Sequence, residues 1–125
     1  MDPGRGRDMN LGELIQLLDC EVVWADDLID EVHVESCFAA DLMSDVLAFS
    51  EPGALLITGL ASVQSIHAAD VADLKGIVYV ASKRPAEQVL ELARRRGIPL
   101  LSTRMGMFEV CAVLREAGLK PGAKP

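Results

Sequence analysis

The chain is predicted to be a single small α/β domain: a parallel sheet core with flanking helices in a three-layer-like arrangement, preceded by an N-terminal helix and extended segments. Three observations carry this. The apolar runs Ala54–Thr58 (ALLIT), Gly76–Val80 (GIVYV) and Ile98–Ser102 (IPLLS) begin 22 residues apart, and each leads into a stretch with helical periodicity. Parallel strands need a crossover connection, and a helix is the usual one. Strands buried on both faces read as unbroken apolar runs, as these do.

The elements follow in order. Residues 1–9 carry Pro, Gly and mixed charge without periodicity and are expected to form a disordered tail. Asn10 followed by Glu13 resembles a capping box, and Leu11, Leu14, Ile15 and Leu18 share a face, so a helix is predicted over 10–18. Glu21–Trp24 reads as a strand, 25–30 as an acidic loop, and 31–38 as an extended segment with Val32 and Val34 alternating. Asp41 is expected to cap a helix whose apolar stripe is Leu42, Val46, Leu47 and Phe49, and Glu51-Pro52-Gly53 forces a turn. The three strand–helix units come next. Ser62 is predicted to cap a helix over 62–73 that buries Val63, Ile66, Ala69 and Val71. Pro85 opens a helix over 86–96, closed by Gly97, with Arg94, Arg95 and Arg96 set against the helix dipole. The last helix, 105–117, is read with Phe108, Cys111, Ala112 and Leu114 inward. The domain thus spans 10–117, and 118–125 is expected to be a second flexible tail.

Composition bounds the function. At 125 residues the chain is long enough for one real core. A net charge of −7 and a pI near 4.7 argue against nucleic-acid binding, which needs a basic field to displace counterions, and against anionic membrane surfaces. Cys20, Cys37 and Cys111 are odd in number and far apart, with no CxxC pair. They read as reduced thiols of a cytoplasmic protein, with no metal site or cofactor implied. No leader-type apolar segment or long apolar span stands out.

The candidate site comes from position. If the strands are parallel, their carboxyl ends share one edge, where ligands of such folds gather. Those ends supply Thr58, Gly59 and Ser62, then Ser82, Lys83 and Arg84, then Ser102, Thr103 and Arg104. Hydroxyl donors, a glycine and three cations beside helix starts suit an anion such as a phosphate or nucleotide. Neither GxGxxG nor GxxxxGK[ST] is present, so the apparatus of dinucleotide or NTPase loops is missing. His67 reads as a helix-face residue. His33, flanked by Glu31 and Glu35, reads as a solvated strand face, and no cysteine has a neighbouring His or Arg to activate it. No catalytic residue is assigned.

Ser36–Val46 (SCFAADLMSDV), Lys75–Val80, Arg84-Pro85, Arg96–Thr103 (RGIPLLST) and Phe108–Val110 resemble the small stand-alone DRTGG-domain proteins over residues 10–117. The resemblance implies an α/β regulatory module. Related domains accompany phosphotransacetylases and lie between the CBS domains of some pyrophosphatases, where adenine nucleotides are sensed. The fold is similar to the N-terminal domain of HPr kinase. Members tend to be homodimers, and stand-alone versions neighbour iron hydrogenases. The eponymous Asp-Arg and Thr-Gly-Gly positions read Leu60-Ala61 and Ala81-Ser82-Lys83 here, so any ligand would be contacted through Lys83 and Arg84 instead.

Three functions are weighed on this basis. The first is a non-catalytic, dimeric sensor of an adenine nucleotide or other small anionic metabolite. The second is a pure interaction subunit of a redox or metabolic enzyme, its pocket vestigial. The weakest is an enzyme acting on a phosphorylated substrate, since stabilising charge without a nucleophile or base covers only part of a catalytic cycle.

Overall fold

The computed structural model describes residues 8–125. Its elements are β1 (Met9–Asn10), α1 (Leu11–Leu18), β2 (Glu21–Trp24), β3 (His33–Val34), β4 (Ser36–Ala39), α2 (Met43–Phe49), β5 (Leu55–Thr58), α3 (Val63–Val71), β6 (Gly76–Tyr79), α4 (Glu87–Arg96), β7 (Leu100–Ser102), α5 (Met107–Glu116) and β8 (Lys120–Pro121). A 3-10 turn over Asp26–Leu28 interrupts the acidic loop.

Six strands form the main sheet in the order β2-β7-β6-β5-β4-β8. From β4 to β7 the neighbours are parallel, with Ile57 opposite Val78 and Val78 opposite Leu101, so the expected parallel core is present. On one edge β2 runs antiparallel to β7. On the other, β8 runs parallel to β4. β1 and β3 pair separately, antiparallel.

Strand alternation sends side chains to two cores. Leu56, Ile77, Tyr79 and Leu100 meet Val46 of α2, Ile66 and Ala69 of α3, and Val89 and Ala93 of α4. Leu55, Ile57, Val78 and Leu101 meet Leu14 and Leu18 of α1 and Val110 and Leu114 of α5. The result is three layers. Among polar groups in the first core, Tyr79 Oη and Ser65 Oγ are 2.7 Å apart, which satisfies the buried phenol.

Several local expectations hold for the stated reasons. The Asn10 side chain accepts from the Glu13 N–H at 2.9 Å and starts α1. Gly97 closes α4 at φ +69, a left-handed turn that glycine takes without strain.

Others need correction. The expected N-terminal tail falls mainly on residues outside those described, but Met9 is a strand residue and fully buried. The segment 118–125 is built into the fold: Leu119 is buried, β8 pairs with β4, Gly122 N–H donates to the Cys37 carbonyl at 2.7 Å, and Ala123 bridges Ser50. Backbone pairing, for which the side chains give no clue, holds it there. Pro85 precedes α4 by two residues, since Ala86 is still extended.

The apolar stripes are narrower than expected, because each helix touches its sheet along one line. In α2 only Val46 is buried, while Leu47, Phe49 and Leu42 just before the helix face out. Val71 is exposed at the end of α3. In α5 the inward pair is Val110 and Leu114, four residues apart, while Ala112 is exposed and Phe108 is 87% exposed.

Candidate functional site

Helices α2, α3 and α4, which follow β4, β5 and β6, lie on one face of the sheet, whereas α5, which follows β7, lies on the other. The connections leaving β6 and β7 therefore part to opposite sides. In open α/β sheets such a reversal opens a crevice beyond the strands' carboxyl ends, and ligands bind there. A cavity of about 360 Å³ occupies this place, lined by Asp19, Cys20, Glu21, Ser82, Arg84, Ser102, Thr103 and Arg104. A second hollow of about 310 Å³ shares Asp19, Thr103 and Arg104 with it and adds Met105 and Glu109.

The backbone around the crevice is tightly held. Ala81 and Ser82 both adopt left-handed conformations, φ +54 and +59, which cost a non-glycine residue about 1–2 kcal/mol each. Ala81 N–H donates to the Met105 carbonyl and Ser82 N–H to the Thr103 carbonyl, each at 2.8 Å, and these bonds fasten the β6 loop to the β7 loop. Both α4 and α5 begin at this edge without a side-chain cap, so their first N–H groups remain available to an anion.

Of the nine residues singled out from the sequence, Ser82, Arg84, Ser102, Thr103 and Arg104 line the cavity together. Lys83 belongs to the same edge: its carbonyl accepts the Ser102 hydroxyl at 2.8 Å, and its side chain lies in solvent. Not all of these face a ligand. Thr103 Oγ1 donates to the Leu18 carbonyl at 2.6 Å and accepts from Met105 N–H at 3.2 Å, and both Ser102 and Thr103 are buried. Their hydroxyls build the floor of the crevice. The exposed complement is Ser82, Lys83, Arg84 and Arg104.

Thr58, Gly59 and Ser62 are not part of this cavity. They lie at the end of β5, where Asp41 closes the corner: its Oδ1 accepts from Thr58 Oγ1 at 3.0 Å and from Gly59 N–H at 2.8 Å. Asp41 is therefore a tie between β4 and β5 and not a helix cap. Ser62 precedes α3, but its hydroxyl does not cap the helix and is buried without a partner, while its carbonyl accepts from Ser65 Oγ at 2.6 Å.

Sequence reasoning missed Asp19 and Glu21. Glu21 pairs with Arg84, and Asp19 Oδ2 stands 3.3 Å from an Arg104 Nη. Both acids arrive through the antiparallel pairing of β2 with β7, a contact between segments about 80 residues apart. Cys20 lies between them, and burial, helped by the Asp19 charge, raises its thiol to about 12, so it is protonated at neutral pH and not a nucleophile. His33 is exposed and 3.2 Å from Asp8, as a solvated strand face would be. Among the described residues, no cluster of three His, Cys, Asp or Glu is placed to hold a metal, and no helix is long and apolar enough to cross a membrane.

The DRTGG domain family matches residues 13–117. The chain belongs to that family. A crystal structure of the CBS and DRTGG domains from the regulatory region of Clostridium perfringens pyrophosphatase, complexed with the activator diadenosine tetraphosphate, superposes with a TM-score of 0.72. Identity is 14%, and the match covers 88% of this chain and 47% of that one, so this chain spans about half its length. At that identity the likeness shows the fold alone. No curated protein matches.

Proposed function

We propose that this DRTGG domain is a regulatory, ligand-sensing module that binds a small anionic metabolite, with an adenine nucleotide the first candidate, in the crevice between the ends of β6 and β7. The observation that carries the reading is that Arg84 and Arg104 line the cavity where the helical connections part, with Lys83 in the same loop beside them, in a chain whose overall charge is −7. A family of regulatory domains supports it, as does the polyphosphate activator held by the pyrophosphatase region. Binding without turnover is favoured because the cavity lining holds no histidine and its thiol is protonated. Three free cysteines suit a cytoplasmic setting.

Thermal unfolding with AMP, ADP, ATP, diadenosine tetraphosphate and pyrophosphate tests this. A ligand at a hundredfold excess over its Kd stabilises the fold by about 2.7 kcal/mol. The variant K83A/R84A/R104A is expected to melt normally alone and to lose that gain. The absence of a shift with every compound refutes the reading.

A second reading, an interaction subunit of a redox or metabolic enzyme or a homodimer, is favoured by a specific surface. Met43 and Leu47 of α2 and Ala68 and Val71 of α3 form an almost wholly apolar groove of about 260 Å³, with Gln64 and His67 at its border. Exposed Phe49 and Leu42 extend the apolar character of α2. Contiguous apolar surface of this kind is what a partner covers. Light scattering is expected to report a dimer that L47D/V71D converts to a 13.4 kDa monomer. A wild-type chain already monomeric at micromolar concentration rejects the dimer.

A further inference from the structure

The two ion pairs at the crevice share an origin that bears on which anions can enter it. Asp19, in the turn joining α1 to β2, and Glu21, the first residue of β2, are two residues apart, and each carboxylate engages a different rim cation: Glu21 holds Arg84, and Asp19 holds Arg104 at 3.3 Å. The segment that carries them is anchored. Asp19 is left-handed, φ +50, its N–H donates to the Gln16 carbonyl, and Cys20 N–H donates to the Ile15 carbonyl at 2.9 Å. The Leu18 carbonyl accepts the buried Thr103 hydroxyl at 2.6 Å, and Glu21 is in register with Ser102 of β7. By contrast the four charged side chains are all more than half exposed. A fixed backbone thus presents two solvent-accessible carboxylates to the cations on which an anionic ligand depends.

We propose that Asp19 and Glu21 are internal competitors for the rim that weaken the hold of every anion, so that only ligands with two adjacent anionic groups, such as a diphosphate, bind strongly enough to remain. This rests on the crevice reading given under Proposed function. Exposed ion pairs contribute little each, and a single phosphate that displaces one carboxylate exchanges one exposed pair for another. A diphosphate can displace both at once, and its second contact forms intramolecularly, at high effective concentration. Lys83, for which the described residues provide no carboxylate at ion-pair distance, adds a third positive charge for the bridging or terminal oxygens.

Calorimetric titration of the full chain with orthophosphate and with pyrophosphate, at one ionic strength, tests the proposal. The wild type is expected to bind pyrophosphate at least about tenfold more tightly than orthophosphate. D19N/E21Q is expected to bind both more tightly, pyrophosphate by roughly tenfold, the size of two exposed pairs released, and orthophosphate by about threefold, so that the preference between them widens. Asparagine tolerates the left-handed conformation at position 19, and the Thr103–Leu18 bond is untouched, so the fold is expected to survive. Should the double variant unfold, E21Q alone, on the exposed edge strand, is expected to tighten pyrophosphate binding by about threefold. Unchanged affinities in D19N/E21Q, with binding still lost in K83A/R84A/R104A, overturn the competitor and leave the crevice standing. No binding of either anion by wild type or D19N/E21Q overturns both.

Discussion

Leu119→Ala is expected to remove about 2–5 kcal/mol of stability, the usual cost of emptying a fully buried leucine site. Leu119 is 1% exposed and packs with Leu14, Leu18, Val110 and Leu114 beneath the sheet. Its N–H donates to the Leu114 carbonyl at 3.0 Å, and it delivers the chain to β8. The expected size is a large share of the roughly 5–15 kcal/mol that holds a domain of this kind together. Urea unfolding followed by far-UV circular dichroism measures it, and the midpoint should fall with an unchanged slope. A chain ending after Gly118 should lose at least as much, because Lys120, Gly122 and Lys124 also donate backbone hydrogen bonds to the body of the domain. A loss below about 1 kcal/mol for Leu119→Ala would mean that the last seven residues merely rest on the surface.

Physical reasons divide what the residues disclose from what they conceal. β5, β6 and β7 were legible because central parallel strands have no solvent face, so each run is unbroken by a polar residue until its last position, Thr58, Tyr79 or Ser102. α1 and α4 were legible through local chemistry, the Asn10 cap and the Gly97 stop, which need no tertiary partner. β8 was not. It is a two-residue edge strand of Lys120 and Pro121, whose pairing depends on backbone atoms of β4 that no pattern in its own residues reveals. Helix faces were mispredicted where apolar residues outnumber the positions that reach the sheet, as in α2, which buries Val46 alone and exposes Leu47 and Phe49.

The site divides in the same way. Its cations were found because strand-to-helix loops follow each strand in sequence, so a parallel sheet gathers them at one edge. The acids that face those cations were not, because Asp19 and Glu21 reach the edge only through an antiparallel neighbour far away in the chain. Hydroxyls were over-counted. Thr58, Ser102 and Thr103 sit at the correct strand ends, yet each is buried and already engaged with Asp41, the Lys83 carbonyl or the Leu18 carbonyl. A polar residue at the end of a strand has two employments, tying loops together or meeting a ligand, and only the fold distinguishes them.

Gly122→Ala is the second substitution with a large expected effect, and it probes whether the C-terminal segment is held by close backbone contact. A Cβ at position 122 would stand 2.8 Å from Ala54 Cβ and 3.0 Å from both the carbonyl carbon and the oxygen of Cys37. Carbon atoms at rest pack about 3.5–4.0 Å apart, so something must move. The backbone cannot yield cheaply, since Gly122 N–H donates to Cys37 and its carbonyl accepts from Glu51 N–H, each at 2.7 Å. The expected cost is about 1–3 kcal/mol, read as a lower urea midpoint and faster amide exchange at position 122 and at Lys124. Adding Ala54→Gly removes the shorter contact but leaves the Cys37 carbonyl in the way, so the double variant should recover part of the loss and not all of it. Full recovery would place the obstruction in the Ala54 methyl alone. No loss at all in Gly122→Ala would mean that the segment can shift away from β4 without penalty, and with it the account of β8 as an integral edge strand would fail.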